Sequence, residues 1–158
     1  MKYKKRIILT VFPVLVQVLV YAGDDSEKFN YSLKKWRETG INHYYIKVDY
    51  RAFSPLAGLW EIEVKKGRVV SSEFNGKNAE QYLKTAGHLT MESLYKRAED
   101  SIGGKVGIDN DPMITEIGYD SVTGFIKSIS RVNNPEYKAR VKRDAGYSIS
   151  VLEFHPLK

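Results

Sequence analysis

Two carboxylates two residues apart, Glu61 and Glu63, are the first residues whose types and spacing suggest chemistry. They fall in a stretch where Trp60, Ile62 and Val64 alternate with Glu61, Glu63 and Lys65, the period of a strand. On one strand face such side chains stand ~6–7 Å apart. Paired carboxyls near that separation can hydrolyse glycosides, provided an apolar pocket keeps one of them protonated. The same residues can also be a solvated strand face, neutralised by Lys47 and Lys65. That is the expected role, because nothing in the sequence supplies the pocket.

Other chemistries find less support. His43, His88 and His155 are scattered at the start of a strand, before a helix and at the end of the last strand, with no His-x-x-x-His spacing. The serines include no Gly-x-Ser-x-Gly nucleophile elbow. Asp109, Asn110 and Asp111, with Glu116 and Asp120 downstream, resemble a calcium loop in composition only. The loop glycine is missing and Pro112 interrupts the spacing, so a polar turn is expected. Lys138, Arg140, Lys142 and Arg143 could touch anionic lipid or glycan, and are expected to be a solvated hairpin arm. There is no cysteine, which excludes a disulfide scaffold, a thiolate metal site and a cysteine nucleophile. Neither a cofactor nor a metal is expected.

Net charge is +6, with a sequence pI near 9.3. Four of the bases, Lys2, Lys4, Lys5 and Arg6, open the chain, and residues 1–22 hold no acid. Without those four, 21 basic residues face 19 acidic ones, a net of +2. That balance argues against a nucleic-acid partner. After Arg6 comes a 16-residue apolar run, residues 7–22, which contains Pro13 and Gln17 and ends Val20-Tyr21-Ala22. A spanning helix needs ~20 apolar residues. The basic start, short apolar core and small residues read as a secretory signal peptide over 1–22, cleaved after Ala22. The alternative is an uncleaved N-terminal membrane anchor. The expected protein is periplasmic or secreted, touching membrane only through that segment, with a single domain over 23–158.

The elements follow from periodicity. Phe29, Leu33 and Trp36 at i, i+4 and i+7 predict a helix over 26–39, capped by Ser26 and ended by Gly40. Strands are predicted over 43–51, 59–65 and 68–74. The last two form a hairpin, read as a three-residue loop with a bulge at Gly67 that turns Val70, Ser72 and Phe74 to the core and keeps Glu73 outside. Residues 75–87 are polar, with a helical turn around 79–83. A second helix starts from Thr90 as N-cap, buries Met91, Leu94, Tyr95, Ala98 and Ile102, and stops at Gly103-Gly104. Three more strands occupy 114–119, 125–132 and 147–154. The expected class is α+β: an antiparallel sheet of about six strands with two main helices on one face, in the order α-β-β-β-α-β-β-β. Trp36 is expected to be buried near Trp60 or Ile62.

That order also places a candidate binding face. Tyr45, with Lys47, Asp49 and Arg51, falls on the polar side of the first strand, and Glu61 and Glu63 join it from the second. Phe53, in the turn-like stretch 52–58, would extend it as an apolar loop. Tyr and Arg are over-represented at protein interfaces. The competing expectation is a solvated face with Phe53 folded back under the sheet.

Several short pieces carry a resemblance: Trp36-Arg37 with Gly40, the tyrosine-rich strand from Tyr44, Gly67-Arg68-Val69-Val70-Ser71, Thr90 through Tyr95, Tyr119-Asp120 through Gly124-Phe125, and Asp144 to Tyr147. In this order the chain resembles, over about residues 35–154, a family of bacterial exported domains of unknown function, many of them predicted lipoproteins. Many relatives have Cys-Phe-Cys-Pro after the first strand, where this chain has Ala52-Phe53-Ser54-Pro55. Whatever those cysteines do there cannot occur here, and Asp24 stands where a lipid-bearing cysteine would be. The resemblance implies a fold and an exported location but no reaction. Two functions therefore remain: a non-catalytic module that binds an envelope protein or glycan, or an envelope hydrolase acting through paired carboxylates. The lack of a clustered nucleophile, base and orienter favours the module. Oligomeric state is not legible.

Overall fold

The computed structural model describes residues 25–102, 113–133 and 146–158. The signal-peptide and cleavage-site expectations, Gly103-Gly104, the Asp109–Asp111 cluster and the basic run from Lys138 to Arg143 lie outside the described residues.

Helix α1 is Asp25–Glu38. Asp25 and Glu27 lie in its first turn and Lys35 and Arg37 in its last, charges that complement the helix dipole. Gly40 follows at φ +63°, the left-handed residue expected there. Ser26 lies inside the helix and is not its cap. The buried face is Phe29, Ser32 and Trp36, with Leu33 only half-buried.

Strands β1 (His43–Ala52), β2 (Gly58–Lys65), β3 (Arg68–Phe74) and the two-residue β4 (Lys77–Asn78) form one antiparallel run. The short helix α2 (Leu83–Ala86) and helix α3 (Met91–Ile102) lead to β5 (Met113–Tyr119), β6 (Ile126–Asn133) and β7 (Tyr147–Pro156). The sheet order is β4-β3-β2-β1-β7-β6-β5. Among the described residues the α+β class and antiparallel pairing stand, with seven strands where about six were expected and the four-residue α2 beside the two main helices. The additions are small: a tight turn at Asn75 and Gly76, both at positive φ, folds β4 onto β3, and 3-10 turns at Glu80–Tyr82 and Gly87–Leu89 flank α2.

The β2–β3 hairpin corrects the predicted loop. Lys66 and Gly67, at φ +51° and +72°, make a two-residue turn that pairs Val64 with Val69. The extra residue sits farther along, where the register shifts so that Glu63 faces Ser71. Val70 is therefore the bulged residue and is 49% exposed, not in the core. The bulge restores the alternation, so Ser72 and Phe74 turn inward and Glu73 stays out, as required to avoid a buried carboxylate.

The core lies between the sheet and the two long helices. Tyr44, Ile46 and Val48, Trp60, Ile62 and Val64, and Ile126, Ile129 and Ile149 meet Phe29, Trp36, Met91, Leu94, Tyr95 and Ala98. Trp36 is buried as expected, but its ring packs edge-on against Tyr44 at 6.0 Å and Phe154 at 5.6 Å. Trp60 instead pairs with Phe74 at 4.7 Å and donates its indole N–H to the Leu56 carbonyl. Trp36 therefore covers the β1–β7 seam, which exists because the last strand returns beside the first.

The β5–β6 turn locks both helices. The Asp120 carboxylate accepts from the Val122 and Thr123 amides and the Thr123 hydroxyl, which holds its pKa below the usual range. Gly124, at φ +81°, lies so close to α1 that a Cβ there would stand 2.3 Å from the Ser32 carbonyl oxygen. Tyr95 of α3 donates to the Gly124 carbonyl, and Lys35 of α1 donates to that of Ser121.

Candidate functional site

Tyr44, Ile46 and Val48 turn to the helices, so His43, Tyr45, Lys47, Asp49 and Arg51 must turn to the other side of the sheet. The β1–β2 register sets Tyr45 beside Glu63 and Lys47 beside Glu61. The β1–β7 register sets Tyr45 beside His155 and Lys47 beside Glu153. Three strands thus bring acids, bases and aromatic rings onto one face.

These groups satisfy each other. Tyr45 donates its hydroxyl to Glu61 Oε2 at 2.8 Å, and its ring stacks on His155 with centroids 5.9 Å apart. Lys47 Nζ lies 3.1 Å from Glu61 and 3.6 Å from Glu153. His43 Nε2 lies 2.9 Å from Glu63 Oε1. Arg51 reaches Asp49 on its own strand through two nitrogens, at 2.7 and 2.8 Å.

The titration of the groups follows from this pairing. The hydrogen bond from Tyr45, and then that from Lys47, hold the Glu61 carboxyl below its ordinary range. Desolvation first, and then the Glu61 hydrogen bond, push the Tyr45 phenol well above its ordinary range. The hydrogen bond to Glu61 raises Lys47, and that to Asp49 raises Arg51. An acid catalyst needs the opposite shift, a carboxyl held protonated by an apolar wall. Glu61 and Glu63 share the face, but each is engaged by a neighbour, and neither lines the clefts beside Tyr119, Trp36 or Arg97. The downward shift of Glu61 is the reverse of what a proton donor in glycoside hydrolysis requires.

Of the residues singled out from sequence, Tyr45, Glu61 and Glu63 come together. Arg51 lies farther along β1, its side chain 77% exposed. Phe53 is 82% exposed in the turn after β1 and does not fold back under the sheet. Glu153 and His155 complete the cluster and were missed. Strict alternation from Tyr147, Ile149 and Val151 carries Glu153 to the core side; the register shift between Lys47 and Val48, which leaves Leu152 unpaired, turns it outward, and the pairing with β1 sets it beside Lys47. Among the described residues, no group of three His, Asp or Glu side chains could hold a metal ion, and no helix is long and apolar enough to cross a membrane.

Fold and face together define a class: an antiparallel α+β domain whose helices cover one side of the sheet and leave a self-paired polar array on the other. Within that class the chain belongs to DUF6174, a family of unknown function whose model matches residues 28–133. The match spans α1 through β6 and ends before β7, the strand that supplies Glu153 and His155. No curated protein matches the chain.

Proposed function

We propose that this chain is an exported, non-catalytic module that binds an envelope protein or glycan through the open face of its sheet. The observation that carries the reading is the one-sided packing of the helices. It leaves Tyr45, Lys47, Glu61 and His155 arranged on the other side, with Arg51 and Phe53 projecting beside them. The polar groups are held by mutual hydrogen bonds, so a partner would meet a preorganised surface at low entropic cost. Phe53 supplies the apolar area that a binding face needs near its centre or rim. The export half of the reading rests on residues 1–22 and their signal-peptide pattern.

Two measurements test the two halves. Mass spectrometry of protein from its native host should find a chain beginning at Gly23. An intact Met1 in a membrane fraction would remove the export claim. A photo-crosslinking residue in place of Phe53 should capture an envelope component in intact cells, and the same residue at Lys84 on α2 should not. Arg51→Ala with Phe53→Ala should abolish that component's binding with an unchanged unfolding midpoint, because both side chains are exposed. Equal crosslinking from both positions, or binding indifferent to the double variant, would exclude this face.

A further inference from the structure

The C-terminal half of α3 lies over the other end of the covered side, against the β6–β7 pair. Arg97 and Asp100 are three residues apart on this helix and share a face. Arg131 of β6 and Tyr147 of β7 are direct partners across the ladder. Between helix and ladder is an open cleft of about 540 Å³, lined also by His88 and Lys96.

The charge balance of this cleft differs from that of the open face. On the open face Lys47 has two carboxylates and Arg51 has one. Among the described residues that line the cleft, Lys96 and Arg97 of α3 and the imidazole of His88 stand with one carboxylate, Asp100, and with Arg131 at the floor. Among the described residues, neither Lys96 nor Arg97 has a carboxylate within salt-bridge distance. The Arg97 guanidinium is nonetheless held in place, over the Tyr147 ring at 5.0 Å from its centroid. A guanidinium stacked by its face keeps its edge N–H groups for a ligand, and holding it in advance lowers the entropic cost of binding.

We propose that this cleft is an anion site for a phosphate group, with Arg97 as the oriented donor and Lys96 as supporting charge. A tetrahedral oxyanion with up to two charges matches two neighbouring cations better than a single carboxylate does. The group could be free phosphate or the headgroup of an anionic lipid, which present the same oxygens.

The test uses protein from its native host at an ionic strength held constant with chloride. Titration with inorganic phosphate should give saturable amide shifts in nuclear magnetic resonance at Arg97 and Arg131. Lys96→Gln with Arg97→Gln should weaken binding roughly tenfold or more. The control pair Lys65→Gln with Arg68→Gln, on the distant hairpin, should not. Co-sedimentation with phosphatidylglycerol vesicles, absent with phosphatidylcholine and lost in the cleft variants, assigns the group to lipid. Saturation by phosphate without such sedimentation assigns it to soluble phosphate compounds. Where Arg97→Gln unfolds the protein, Lys96→Gln alone carries the test, because that side chain is exposed. The absence of both saturable shifts and variant-sensitive sedimentation, or equal losses in the control pair, overturns the proposal.

Discussion

Tyr44 and Tyr45 are adjacent in sequence and stand on opposite faces of the same sheet. Each donates its hydroxyl to a glutamate, Tyr44 to Glu92 at 2.7 Å and Tyr45 to Glu61 at 2.8 Å. Burial raises both phenols far above their ordinary range. Their consequences differ. Tyr44 is fully buried, and its oxygen also accepts the Met91 amide at the start of α3, at 2.9 Å. It ties the central strand to a helix. Tyr45 ties one strand to its neighbour on a face where water can replace the bond. The same residue type in the same local pairing is thus a joint of the fold on one side and a surface group on the other. What separates them is whether a lost hydrogen bond leaves a buried partner unsatisfied.

The largest expected effect tests the covered side. Trp36→Ala should cost about 3–5 kcal/mol, as large aromatic truncations in cores do, because it empties the space against Tyr44 and Phe154. Chemical denaturation measures it, and a loss below about 1 kcal/mol would show that α1 is peripheral.

Tyr44→Phe should cost about 1–3 kcal/mol, since it strips the Met91 amide of its buried acceptor. Amide exchange at Met91 should accelerate with it, and unchanged exchange would mean that the joint is not made through this hydroxyl. Tyr45→Phe should cost less than about 1 kcal/mol, the range for a bond that solvent can replace. Losses of equal size for the two variants would erase the contrast between the faces.

Tyr119 sharpens it from another side. Among the described residues its buried hydroxyl has no hydrogen-bond partner, and desolvation, with the nearby Asp25, pushes it up to about 12. Tyr119→Phe should therefore be neutral or slightly stabilising, because the hydroxyl's desolvation is uncompensated. A loss comparable to that of Tyr44→Phe would reveal a partner for this oxygen.

The smallest effect is the acid limb of the open face. Glu61 titrates below its ordinary value of 4.5, first because of the Tyr45 hydrogen bond. Its contribution to stability is fully present above that value and is lost as pH falls through the lowered folded value. Comparing unfolding midpoints of the wild type and Glu61→Gln between neutral and acidic pH should show a slightly shallower acid decline in the variant. Parallel curves would mean that the array contributes nothing to stability.

Much of this molecule can be read one element at a time. The spacing of Phe29 and Trp36, the stripe from Met91 to Ala98 and the alternation of β1 and β2 report each segment's own burial, because a period of 3.6 or 2 is printed locally in the chain. The same periods placed Tyr45, Glu61 and Glu63 on one face. They could not show that β7 returns to pair with β1. That pairing joins residues from Ala52 and Tyr147 to Tyr44 and Pro156, far apart in the chain, and no local pattern records it. It set Trp36 against Phe154 and brought Glu153 and His155 to the open face. The β6–β7 pairing in turn set Tyr147 beside Arg131 under Arg97. The hairpin shows the limit at its finest. The need to keep Glu73 out of the core was legible, but whether Gly67 or Val70 carried the extra residue was decided by which turn lets both strands keep their inward residues packed. Periodicity determines which side of an element is apolar. Only the packed structure decides which element it meets, because strand neighbours are chosen by burying all the apolar faces at once.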